Sequence, residues 1–322
     1  MRALAVVMLL CWSAVAHSAP SSDQIAAYRA LGQQDLRLAV ISHRLAAANA
    51  PFCERRERNP GWVLHDEIQY PDLETARAAF GFRQPISISA VVPGGAADQL
   101  GIKAGDGLVA FNDEMLGADT EVRSKQSAER VENIQRELKQ KLATGEPIQL
   151  TLDTVGGKRP FNLSPPEVCT SHFWVDASSN LDAGADGDGV RITEGLMTFV
   201  GTDDAELAAV VAHELSHNLL GHRERLKSAK RRTKEVLATE IEADRLSVWL
   251  MANAGYDPKA ALRFTERHGR KTGLGIFSDG THLRWKNRLK VMQAEIDLMA
   301  ATPKHGGLLP PPLLAGGELA TQ

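Results

Sequence analysis

Between about Ser22 and Ala50 apolar residues recur every three to four positions. The stretch DLRLAVISHRLAAANA is rich in Leu and Ala at that spacing and predicts a helix, which Pro51 stops. After about Ala76 the period changes. FGFRQPISISAVVPGGAADQLGIKAGDGLVAFNDEML combines alternation with Gly turns and predicts strands. A polar helical stretch, SAERVENIQRELKQKL, follows, then PIQLTLDTVGGKRPFNL, two alternating runs joined through VGGK. From Pro165 to Ala301 the pattern is mainly helical again. GVRITEGLMTF reads as a strand and a turn. DDAELAAVVAHELSHNLLGHRERL predicts one helix capped by Asp203, with Glu206 at the position a capping box requires. KEVLATEIEADRLSVWLMANAG predicts a second, ending at Gly255, and DPKAALRFTERHG a third, capped by Asp257 with Pro258 in its first turn. The tail from 303 to 322 is rich in Gly and Pro and reads as disordered. These changes of texture predict an α+β fold: a mainly helical domain with a small β element (20–75 and 164–302), interrupted by a β-rich unit at 76–163.

Composition narrows the setting. A chain of 322 residues suggests about two domains, and 43% hydrophobic residues suffice for ordinary cores. A formal net charge of −3 gives no sign of nucleic acid or an anionic membrane as partner. At the N-terminus Arg2 precedes the apolar run ALAVVMLLCW and then SAVAHSAP, the pattern of a secretory signal within 1–19, cleaved best after Ala16 or else after Ser18 or Ala19. Cys11 follows Leu10 rather than a small residue, which argues against lipid attachment. No other stretch approaches the roughly 20 apolar residues of a spanning helix. The expected location is the periplasm, or alternatively the secreted medium. Cys53 and Cys169 then remain in an oxidising compartment, which favours a disulfide. They flank the β-rich segment, so a bridge would clip together the ends of an insertion.

The chemistry centres on VVAHELSHNLLGH. On a helix His213 and His217 lie about 40° apart, one turn apart, so both imidazoles can meet one ion, and Glu214 sits beside it, placed to take a proton from water. A catalytic ion needs a third protein ligand. On a continuous helix His222 is about 900° from His213, half a turn off the metal face, and reads as structural or surface. The next long helix offers Glu240 as ligand and Asp244, on the same side, as acceptor for a ligating imidazole's N–H; Glu242 faces away. The cofactor expected is Zn2+.

Two resemblances follow from these motifs. VVPGGAADQLGIKAGDGLVAFND is similar to PDZ domains, which take an extended peptide as an extra strand. The resemblance implies a C-terminal peptide ligand, with Phe80 to Phe82 (FGF) as the loop receiving its carboxylate. HELSH followed by EIEAD resembles the HtpX and CAAX-prenyl-endopeptidase family of zinc metallopeptidases, gluzincins, and most resembles its soluble, exported members. THLRWKNR is similar to a later family element, with Leu283 where proline is usual. It implies His282 and Arg288 at the metal cleft as oxyanion stabilisers, and His282 as a latch of the resting site. The family's chemistry implies internal cleavage of unfolded or extended polypeptide, with GVRIT offering a strand edge to substrate, in envelope protein quality control. The alternative from another class is a PDZ-led chaperone or scaffold with a non-catalytic metal site.

Overall fold

The computed structural model describes residues 20–112, 114–116, 128–272 and 285–314; the expected signal segment at 1–19 lies outside them. Helix α1 (Ser22–Ala48) starts at Ser21, which forms a capping box with Gln24, and it buries Leu38, Ile41 and Leu45 toward its C-terminal end. Strand β1 (Arg56–Arg58) leads into a separate unit. This comprises β2 (Trp62–Asp66), α2 (Leu73–Phe80), β3 (Ile86–Val91), α3 (Ala96–Gln99), β4 (Gly107–Phe111), β5 (Glu114–Met115), α4 (Glu129–Leu142), β6 (Ile148–Thr154) and β7 (Gly157–Leu163).

The strands form an antiparallel sheet in the order β2-β3-β4-β6-β7, with β5 on β4. Helix α4 buries Val131, Ile134, Leu138 and Leu142, spaced to line one face, in a core shared with Leu64, Ile88, Phe111, Leu150 and Leu163. Because Leu64 belongs to this core and β2 pairs with β3, the unit begins near residue 62, not 76. Its texture change was masked because β2 is separated from β3 by a short helix. Phe80 and Phe82, expected to line a peptide-receiving loop, stack on each other at 5.0 Å between ring centres and lie against Tyr70. Phe80 also stacks on Tyr28, so these rings serve to pack α2 on α1.

Strand β8 (Glu167–Cys169) returns antiparallel to β1, with Arg56 opposite Cys169 and Arg58 opposite Glu167. Cys53 and Cys169 form a disulfide with Cα atoms 5.5 Å apart. The chain thus leaves and re-enters the main body side by side. That body continues through β9 (His172–Asp176), β10 (Ala183–Ala185), β11 (Gly189–Thr193), α5 (Glu194–Val200), α6 (Asp204–Leu219), α7 (His222–Ser228), α8 (Thr233–Asn253), α9 (Lys259–Thr272) and α10 (Trp285–Ala301). Its core joins Leu38, Ile41 and Leu45 of α1 to Val190, Ile192, Leu207, Val211, Leu246 and Trp249. Residues on both sides of the second unit therefore share one core, which makes that unit an insertion.

Three further readings change. The helix expected from Asp203 through Leu226 breaks at Gly221, whose φ of 62° ends α6 and starts α7. Asp203 caps α6 as expected, but the Glu206 carboxylate is taken by Arg267 instead of the cap. Residues 303–314, expected to be disordered, dock on the body: Leu309 is buried, and its backbone N–H and C=O are matched by the Asn253 side chain at 2.7 and 2.9 Å. That pairing compensates for the low hydrophobic content of the tail. Among the described residues no helix is long and apolar enough to cross a membrane.

A closed loop spanning a separation of 116 residues is worth up to about 4–5 kcal/mol on loop-entropy grounds. The double variant Cys53→Ser/Cys169→Ser should unfold at distinctly lower urea concentration than the oxidised wild type; an unchanged midpoint would show that the bridge contributes nothing.

Candidate metal centre

Helix α6 is buried on almost every side, from Glu206 through Ser216, and packs against α8, α9 and the small sheet. Burial on all faces suits its run of Leu, Ala and Val, and it carries His213, Glu214 and His217 inside the body. Helix α8 lies against it and turns Glu240, Ala243, Asp244 and Ser247 inward, positions at helical spacing. Helix α10 is held to α8 by Glu295, which accepts from Trp249 Nε1 at 2.8 Å and pairs with Arg245. This brings Arg288 to the back of the site.

Donor atoms of three residues converge. His213 Nε2 is 3.3 Å from His217 Nε2 and 3.4 Å from Glu240 Oε2; His217 Nε2 is 3.5 Å from Glu240 Oε1. His213, His217 and Glu240 together could hold a metal ion. The spacing can be tested against chemistry. A tetrahedral ion with arms of about 2.0–2.1 Å sets its ligands roughly 3.3–3.4 Å apart. Glu240 Oε2 is also buried with no hydrogen-bond partner, which a cation would supply. The donor set therefore fits an ion of zinc's size and preferences.

Behind His213 the arrangement is ionic. His213 Nδ1 lies 3.1 Å from Asp244 Oδ1, and Arg288 donates to the same carboxylate from Nε at 2.8 Å and Nη2 at 2.6 Å. Arg288 is 4% exposed and Asp244 1%, so both charges are compensated out of water. The contacts of Arg288 lie on the Nδ1 side of His213, the side away from the converging donors. Arg288 thus orients Asp244 through its Nε and Nη2 edge. His282 lies outside the described residues.

In the metal-free site burial would raise the Asp244 carboxyl, but the Arg288 charge and hydrogen bonds hold it well below the usual range. Burial acts to lower His213, yet the neighbouring carboxylates of Asp244 and Glu240 outweigh it and push it up to about 9. Burial and the neighbouring His213 charge bring His217 down to about 3. Burial pushes Glu214 up to about 7, and its Oε1 is buried with no hydrogen-bond partner.

Several functional neighbours escaped the sequence. Strand β11, expected to offer substrate an edge, is the middle strand, parallel to β9 and antiparallel to β10. The edge nearest α6 belongs to β10, which packs on that helix. Asn218 pins the end of α6 to the turn before β11: its Oδ1 accepts from Gly187 N at 2.8 Å, and its Nδ2 donates to Gly189 O at 2.9 Å. His222, placed off the metal face by continuous helical turning, is buried against His217 because the chain bends at Gly221.

Residues 170–239 match Peptidase family M48. The matched segment contains His213, Glu214 and His217 and stops one residue before Glu240, so the third ligand rests on the geometry. M48 peptidases are metal-dependent, usually on zinc, and the match supports a peptidase with a metal centre. No curated protein matches the chain.

The Asp244–Arg288 pair generates a prediction. In metal-free protein Arg288→Ala should lose about 3–5 kcal/mol at pH 7, because it leaves the buried Asp244 carboxylate without the two guanidinium hydrogen bonds and with His213 as its remaining partner. The sign with pH is fixed by the depressed carboxyl. Its contribution is complete above the unfolded value of about 3.9 and is lost as pH falls further. Urea titrations of the two proteins should therefore differ most near neutrality and converge below about pH 4.

Proposed function

We propose that this chain is an exported zinc endopeptidase that cleaves unfolded or extended polypeptide, in a role of envelope protein quality control. The observation that carries the chemistry is the convergence of His213, His217 and Glu240, with Glu214, whose buried Oε1 has no hydrogen-bond partner, on the same helix. A structural ion has no use for a buried base next to it. Bound there, zinc supplies a Lewis acid for the scissile carbonyl and a lowered pKa for the attacking water.

The chain's own residues do the remaining work. Glu214 accepts the water's proton and passes it to the leaving amine, its buried Oε1 having no protein partner to compete. Asp244, backed by Arg288, keeps His213 oriented with Nε2 toward the cluster. The edge strand β10, packed on α6 and with no second strand partner among the described residues, is the strand along which an extended substrate would lie. The inserted unit, by its resemblance to PDZ domains, captures an exposed chain end along the edge strand β2 and raises the local substrate concentration. His282, by the family resemblance, closes the resting site as a latch.

Casein or an unfolded envelope protein, incubated with zinc-loaded wild type and Glu214→Gln, tests this reading. The variant should keep its zinc and lose roughly 100- to 10,000-fold in cleavage rate. Equal cleavage by both, or none by wild type, would favour a scaffold with an inert ion.

Zinc content provides an independent measurement. Glu240→Ala should purify with little metal, whereas wild type should carry about one ion per chain, removable by chelator with loss of activity and restored on adding zinc.

A further inference from the structure

The two histidines at the centre are oriented differently. Asp244 meets His213 directly. Among the described residues no carboxylate meets His217 Nδ1; an imidazole does. His222 Nδ1 lies 2.9 Å from His217 Nδ1, and His222 Nε2 lies 3.1 Å from Glu242 Oε2. Glu242 also accepts from Arg225 Nη1 at 2.6 Å. His222 is 1% exposed. The contact exists because Gly221, in the left-handed region at φ 62°, bends the chain and starts α7 with His222 folded back over His217. A residue other than glycine would be strained there.

We propose that His222 and Glu242 form a hydrogen-bond relay that fixes the tautomer of His217, making them positioning residues for the metal centre. The direction of each bond follows from the carboxylate at the end. An ionised carboxylate only accepts, so His222 donates from Nε2. A singly protonated ring that donates from Nε2 has a lone pair at Nδ1, so His217 must donate from its own Nδ1. His217 then carries its lone pair on Nε2, the atom facing His213 and Glu240. Arg225 holds Glu242 in place at the outer end, as Arg288 holds Asp244. Each ligating imidazole is thereby backed by a carboxylate and an arginine, one directly and one through a second ring.

This inference rests on the three-ligand metal reading, and the test separates the two. Zinc affinity is measured by competition with a chromophoric chelator for wild type, His222→Phe, His222→Asn and Glu242→Ala. His222→Phe fills the space without an acceptor. His222→Asn restores an acceptor oxygen near the position of Nδ1. The expected result is a 10- to 100-fold weaker affinity for His222→Phe, a loss in the same direction for Glu242→Ala, and recovery toward wild type for His222→Asn. Urea unfolding of the metal-free proteins identifies a merely structural effect, which would lower stability without this pattern of rescue. Imidazole 15N shifts of zinc-loaded wild type should show His217 protonated at Nδ1. Equal affinity for wild type and His222→Phe, or a His222→Asn as weak as His222→Phe, overturns the relay while leaving the metal site intact. A wild type that binds no zinc overturns the underlying metal reading instead. Should His222→Phe fail to fold, unchanged affinity in Glu242→Ala overturns the relay by itself.

Discussion

Everything at the site depends on the packing of α6 against α8. Two histidines on one helix define a line, and a metal centre needs a third point off that line. The apolar faces of the two helices, with Val211, Leu215, Ala243 and Leu246 buried between or beside them, set the separation that places Glu240 opposite the histidine pair. Carboxylates so deeply buried would not stay charged unaided. Asp244 is kept ionised by Arg288, which reaches it from α10, and α10 is in turn tied to α8 through Glu295. The electrostatics of the centre are therefore a property of three helices at once.

Much of this was legible in the sequence because it depends on local periodicity. The spacing of His213 and His217 fixes their common face on any helix. The spacing of Glu240 and Asp244 does the same on the next one, and both pairs meet where the sequence reading placed them. The disulfide was readable from the two cysteines that remain after an export signal. What was not legible required either a break in periodicity or a long-range partner. Continuous helical turning put His222 half a turn away, and a single left-handed glycine reversed that conclusion. The glycine in LLGH was the available signal, since glycine commonly ends helices. Arg288 reads as free to contact substrate until the fold shows its guanidinium bound to Asp244. Strand order is equally non-local: nothing in GVRIT distinguishes a central strand from an edge.

The inserted unit shows the same division. Its alternating strands and the amphipathic α4 were visible, while its true start at β2 was not, because a strand of five residues followed by a helix carries little periodic signal. The rings of Phe80 and Phe82 stack on each other, and Phe80 stacks on Tyr28 of α1, a contact between distant segments that carries no periodic signal. Residues 303–314 make the complementary point, since two hydrogen bonds between Leu309 and Asn253 and the burial of Leu309 hold a segment whose composition suggests no structure.

The bridge between Cys53 and Cys169 has a topological consequence. Helix α1 precedes the insertion in the chain yet contributes Leu38, Ile41 and Leu45 to the same core as α6 and α8. A cut anywhere in the loop between the two cysteines would sever the polypeptide without releasing either fragment. Nicked in this way, whether by itself or by a neighbouring enzyme, the molecule would remain covalently whole until its disulfide was reduced.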